Sequence, residues 1–255
     1  MSLDVREENV TIAAPDGAAD GALFRPVGEG RHPGVLHLTD IGGIRPAHRD
    51  MGRRLAGEGY VVLMPNVFYR TRRPPMFDPG MKSGDEAWRA RFAQLTAPLT
   101  PEAQERDAPA YVDDLARREG VAEGAMGVVG YCFTGGFAMR VAAARPDRIA
   151  AAASFHGGGL WKDAPTSPHH VLGRIRARLY FGHAIEDRSM PPEAIAQLER
   201  ALADWGGRWR SETYGGAHHG WTASNSAVYD EAQANRAFAN LEELFAATLK
   251  SEARP

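Results

Sequence analysis

Apolar and polar positions alternate along the chain in two distinct periods. Asn9–Ala13 and Gly21–Phe24 show the two-residue period of strands and flank Pro15-Asp16-Gly17, so they read as an opening hairpin. Short apolar runs follow at Val35–Leu38, Tyr60–Met64, Ala125–Val129, Ile149–Phe155, Arg178–Phe181 and Arg208–Tyr214. Such runs, without polar alternation, suit strands buried on both faces. Between them, helical spacing predicts helices over Ala47–Glu58, Glu86–Leu95, Pro101–Glu119, Phe133–Ala144, Pro191–Trp205 and Val228–Leu249. Thr100 before Pro101 is an N-terminal cap signal, and Gly59 and Gly120 are stop signals. Asn66–Gly84 and Gly157–Gly173, rich in Gly and Pro or polar residues, read as irregular loops.

Strands alternating with helices predict an α/β fold, a mostly parallel twisted sheet with helices on both faces. No linker interrupts the pattern, so residues 1–255 are expected to form one domain, with 66–119 a loop and helical insertion within it.

Charge narrows the function. The 30 basic and 32 acidic residues leave a net charge of −2, which gives no field to draw in nucleic acid or anionic lipid. A charged N-terminus and the lack of a long apolar run point to a cytoplasmic protein with no membrane partner. Cys132 is the one cysteine, so an internal disulfide, a dithiol couple and a cysteine-rich zinc cluster are excluded. His169-His170 matches no metal-ligand template. Gly157-Gly158-Gly159 lacks dinucleotide-binding spacing. No metal and no cofactor are expected.

The chemistry centres on Gly130-Tyr131-Cys132-Phe133-Thr134-Gly135-Gly136, which joins a strand directly to a helix. A nucleophile at such a bend stands above the sheet, its neighbouring amide aims at the substrate oxygen, and the helix N-terminus favours a thiolate. The plain alternative is a small buried hydrophobe, common for free cysteine. A thiol nucleophile needs a base and an orienting carboxylate, and in this architecture the acid precedes the histidine. Two downstream segments qualify. Gly182-His183-Ala184-Ile185-Glu186-Asp187 offers Glu186 and Asp187, and Gly215-Gly216-Ala217-His218-His219-Gly220 offers His218 and His219. Asp187 lies 55 residues after Cys132 and 32 before His219, room for the intervening strand–helix units.

Gly130-x-Cys132 with Gly135-Gly136, Asp187-x-x-Met190-Pro191, and Gly216-Ala217-x-His219-Gly220 together resemble the dienelactone hydrolase family, as does Pro65 followed by Phe68-x-Arg70. The resemblance implies an α/β-hydrolase fold with Cys132 as nucleophile, His219 as base and Asp187 as its acid. Glu186 and His218 then become solvated loop residues. It implies backbone oxyanion donors at Ile41 and Phe133, with Asp40 standing where many members carry a glutamate against the resting thiol. The implied partner is a small lactone or ester, opened through a thioester intermediate. A ligand-binding or sensing protein on the same scaffold is the competing reading. Arg70 and Arg72 could grip a substrate carboxylate or simply be solvated, while Ala223 occupies a position where the type enzyme has an arginine. His156 and Trp221 are further candidates for the pocket wall, and His37 for the core.

Overall fold

The structure, a computed structural model, describes residues 2–250. Eight strands form one sheet: β1 (Val5–Ala14), β2 (Gly17–Pro26), β3 (Gly34–Leu38), β4 (Val61–Pro65), β5 (Met126–Tyr131), β6 (Ile149–Phe155), β7 (Arg178–His183) and β8 (Trp209–Thr213). Their spatial order is β1-β2-β4-β3-β5-β6-β7-β8. β1, β2 and β4 pair antiparallel, and β4 through β8 form a parallel array. Among the described residues six helices cover it: α1 (Pro46–Gly57), α2 (Glu86–Thr96), α3 (Pro101–Ala116), α4 (Gly135–Ala144), α5 (Pro192–Trp205) and α6 (Glu231–Leu249).

The two-residue period of the strands sends alternate side chains to opposite faces, which divides the core in two. On one face Leu36, Leu63 and Val128 pack with Tyr111 and Leu115 of α3, Phe137 of α4 and Leu198 of α5. On the other, Val35, Val62 and Val129 pack with Leu55 of α1 and Leu241 and Phe245 of α6. Each central strand is fully buried, which explains the unbroken apolar runs.

Several boundaries differ from the sequence reading, for identifiable reasons. The hairpin strands extend over ten residues each, because edge pairing from Val5↔Pro26 to Ala14↔Gly17 needs no apolar side chain outward. The final helix starts at Glu231, where the Asp230 carboxylate accepts from Gln233 N–H at 3.0 Å and leaves Val228 and Tyr229 outside and exposed. At the end of the 157–173 loop a 3₁₀ turn forms at Pro168–Arg174, one residue past the predicted boundary. α3 belongs to the core layer, with Tyr111, Val112 and Leu115 fully buried, so the insertion proper is the loop after β4 plus α2.

Candidate active site

Among the described residues three non-glycine residues have positive φ, Cys132 (55°), His156 (41°) and Glu186 (51°), and all follow the carboxyl ends of adjacent parallel strands β5, β6 and β7. Such backbone is costly for an L-residue and persists where its surroundings hold it. The strain is thus gathered along one edge of the sheet, where open α/β folds bind ligands.

At Cys132 the chain turns from β5 into a single 3₁₀ turn, Cys132–Thr134, before α4 begins at Gly135, two residues later than the spacing predicts. The glycines are steric requirements. A Cβ at Gly130 would stand 2.3 Å from the Thr134 carbonyl oxygen, and one at Gly135 would stand 2.3 Å from Ser154 Oγ and 2.8 Å from Gly157 Cα. Thr134 does more than fill the first turn. Its buried hydroxyl accepts from Tyr131 N–H at 3.0 Å and lies 3.0 Å from the carbonyls of Tyr131 and Leu38, pinning the bend to β3.

Asp187 and His219 arrive from the loops after β7 and β8. His219 Nδ1 donates to Asp187 Oδ2 at 2.7 Å, while Asp187 Oδ1 accepts from Ser189 N–H (2.8 Å) and Ser189 Oγ–H (2.6 Å). The two loops are stitched by Tyr214 N–H to His183 O and Ile185 N–H to Ala217 O, both 2.9 Å. With Nδ1 committed, Nε2 is the ring nitrogen left open, and the Cys132 sulfur is near enough to favour the charged form of His219. Burial opposes charge on His219, yet the Asp187 bond and the adjacent sulfur outweigh it and push its pKa up to about 10. Burial likewise opposes charge on Asp187, but bonds from His219 and Ser189 hold its carboxyl down to about 2. Glu186 and His218 point outward with side chains 79% and 51% exposed, making only a 3.9 Å contact with each other.

Opposite the bend, the loop after β3 wraps around Asp40. Its Oδ1 accepts from Gly42 N–H at 2.8 Å and its carbonyl from Gly43 N–H at 3.0 Å. No protein acceptor among the described residues takes the N–H of Ile41 or Phe133. Among the described residues the Asp40 carboxylate makes no hydrogen bond to Cys132. The carboxylate is gripped by Arg45 at 2.5 and 2.7 Å, lies 3.2 Å from His48 Nε2, and continues through His48 Nδ1 to His37 Nε2 at 2.9 Å. Burial resists ionisation of Asp40, but His48 and Arg45 prevail and hold its carboxyl well below the ordinary value. Arg45 also donates to Asn225 Oδ1 at 3.2 Å, tying this loop to the one that carries His219. Neither Arg45 nor His48 stands out in the sequence; an arginine directly before a helix-starting proline carries no signal of its partner five residues earlier.

The remaining pocket candidates are corrected. Arg70 places its guanidinium on both oxygens of the fully buried Asp107, at 2.6 and 2.7 Å, and on Asp16 at 2.7 Å. Arg72 donates to Pro75 O at 2.7 Å and to Asp78. Arg70 ties its loop to α3 and to the β1–β2 turn, Arg72 braces that loop from within, and both guanidinium groups are already engaged. Trp221 is fully buried against Tyr214 and His156, with centroids 4.9 and 5.0 Å away, so it is a packing residue. His156 is buried too. Its Nε2 is 2.8 Å from Thr222 Oγ1, its ring lies 5.0 Å from that of His219, and burial, aided by His219, drives its pKa to about 3. It is a neutral ring packed beside His219. The partly exposed Phe133 ring meets Phe68 and Phe92, with centroids 6.3 and 6.1 Å apart, which gives the site an aromatic side. Among the described residues no group of three or more His, Cys, Asp or Glu is placed to hold a metal ion, and no helix is long and apolar enough to cross a membrane.

This sheet order with its strained strand-to-helix bend defines an α/β-hydrolase fold. Residues 19–249 match the dienelactone hydrolase family, and the chain belongs to that family. A Synechocystis protein provisionally named carboxymethylenebutenolidase is 30% identical over 98% of this chain and 100% of its own length. A Rhodococcus opacus carboxymethylenebutenolidase is 32% identical over 74% of this chain and 70% of that one. Among solved structures, a Klebsiella pneumoniae protein provisionally titled dienelactone hydrolase superposes with a TM-score of 0.84 at 22% identity, covering 95% of this chain and 99% of the other.

Proposed function

We propose that this chain hydrolyses lactones or small activated carboxylic esters through a thioester on Cys132. The observation that carries the reading is the 2.7 Å His219–Asp187 bond, with the Cys132 thiol beside the same imidazole on a bend that exposes it. Membership of the dienelactone hydrolase family and the names of its relatives supply the substrate class.

In this mechanism His219, whose charged form is favoured by Asp187, takes the Sγ proton. The sulfur attacks the substrate carbonyl carbon, and the carbonyl electrons move onto oxygen. That oxyanion is received by the Ile41 and Phe133 N–H groups, donors that typically contribute about 3 kcal/mol each to the barrier. Collapse breaks the carbon–oxygen bond, and the leaving alkoxide takes the proton from His219. In a lactone the leaving oxygen stays tethered as the far end of the opened chain. Water then gives a proton to His219 and adds to the thioester carbonyl, and the sulfur departs as the acid forms. Because Arg70 and Arg72 are engaged elsewhere and position 223 is alanine, the proposal does not require a carboxylate on the substrate.

Turnover of p-nitrophenyl acetate and of an unsubstituted dienelactone by purified protein is the test. Cys132→Ser and His219→Ala should each lower kcat by about 10³-fold or more. Turnover that survives both substitutions, or stoichiometric binding heat without product, would overturn the reading.

A further inference from the structure

A cavity of about 150 Å³ lies on the far face of the sheet from α3 and α4, between α1 and α6. Its walls are mostly apolar, with Met51 and Leu55 from α1, Phe238 from α6, and Phe155 and Tyr131 from the sheet. Tyr131 is 3% exposed, and its hydroxyl bonds to no other side chain among the described residues although it lines the cavity. Burial pushes the Tyr131 phenol upward, only partly opposed by Arg54, so the group presented is a neutral hydroxyl able to donate or accept. Tyr131 Oη is not among the buried polar atoms left without a partner, so it meets the open space of the cavity, where a ligand oxygen can pair with it.

We propose that this cavity is a binding site for a single-ring phenol, its ring held among Met51, Leu55, Phe155 and Phe238 and its hydroxyl paired with Tyr131. Size sets the ring count, since an apolar cavity of this volume accommodates one benzene-sized ring. Charge sets the class. Arg54 and Asp50 both stand in the lining, and Arg54 is already stacked 3.8 Å over Phe238 and bonded to Asn235 at 2.8 Å. Opposite charges at the rim favour a neutral guest over a carboxylate. The half-exposed Tyr229 marks the entrance.

Two walls of this cavity lead to the reacting groups. Tyr131 directly precedes Cys132, and Thr222 holds His156, whose ring supports His219. Occupancy therefore alters kcat rather than competing with substrate, a consequence that rests on the roles proposed for Cys132 and His219, whereas the binding itself does not.

The test is calorimetric titration of the full chain with phenol, before and after Cys132 is alkylated with iodoacetamide to block the catalytic site. The expected result is one equivalent bound with the same affinity in both forms. Tyr131→Phe should weaken binding about fivefold, the size of one net hydrogen bond. Ala234→Leu, which fills the lining from a partly exposed position on α6, should weaken it at least tenfold; circular dichroism verifies that both variants are folded. With p-nitrophenyl acetate, phenol should change kcat at unchanged KM. Absence of binding, loss of binding on alkylation, or affinity indifferent to both substitutions would overturn the proposal. Binding that meets these criteria in a chain without esterase turnover would leave the site standing and refute the catalytic reading instead.

Discussion

Asp40 and Arg45 are joined by a two-pronged ion pair at 2.5 and 2.7 Å, and the same guanidinium reaches Gly43 O at 3.3 Å and Asn225 at 3.2 Å. One side chain therefore clamps the loop that presents the Ile41 amide to the loop that follows His219. Bidentate arginine pairs of this kind fix geometry as well as energy.

If the clamp sets the position of the Ile41 amide, Arg45→Met should lower kcat on p-nitrophenyl acetate by about tenfold, less than the loss expected on removing a donor outright. KM should change little, and Arg45→Lys, a point charge without the fork, should recover only part of the rate. Steady-state kinetics on the three proteins decide this.

The His219–Asp187 pair predicts a pH signature of defined sign. His219 is raised from about 6.5 to about 10, so its charged form adds stability that is complete below about pH 6.5 and is lost as pH climbs through 10. Asp187 is depressed from 3.8 to about 2, so its contribution is complete above about pH 4 and is lost as pH falls through 2. Asp187→Asn should therefore destabilise the protein most between about pH 4 and 6.5, with the deficit shrinking toward pH 10. Denaturant melts at pH 5, 8 and 10 would show it, and an imidazole NMR titration of the variant should place His219 lower than in the wild type.

The bend at Cys132 should tolerate almost no added atom. Gly130→Ala puts a methyl group 2.3 Å from the Thr134 carbonyl, so its cost should reach or exceed about 3 kcal/mol, the upper end of ordinary overpacking. Thr134→Val keeps the shape but strips partners from the Tyr131 amide and the Leu38 carbonyl, for about 1–3 kcal/mol, while Thr134→Ser should be close to wild type. Chemical denaturation of the three variants gives the ranking.

Arg70→Ala should behave as a stability variant. It strands the buried Asp107 carboxylate, an event that costs about 3–5 kcal/mol in buried pairs, and it should leave KM for small esters unchanged. A large rise in KM at unaltered stability would return Arg70 to the substrate pocket.

Much of this fold is legible in the chain because the strands are short, apolar and regularly spaced, and the bend at Cys132 is announced by glycines whose steric purpose is now plain. Asp187 and His219 come together because β7 and β8 are adjacent and parallel, a relation that strand–helix alternation implies. What the sequence conceals is pairing over distance. Arg70 looks like a free cation until Asp107, 37 residues later, is seen facing it. Arg45, His48 and Asp40 look unrelated until one loop folds over them. Trp221 follows the base so closely in sequence that it suggests a pocket wall, but the turn at Gly220 (φ 101°) sends it into the core.

The three members of the proposed triad do not share equal support. Cys132 sits at the end of an interior strand flanked on both sides, whereas His219 hangs from a loop beyond β8, which is paired on one side only. Warming should fray that margin first. The imidazole would then drift away while the sulfur kept its seat, and heat would silence the molecule by local melting well before the sheet itself gave way.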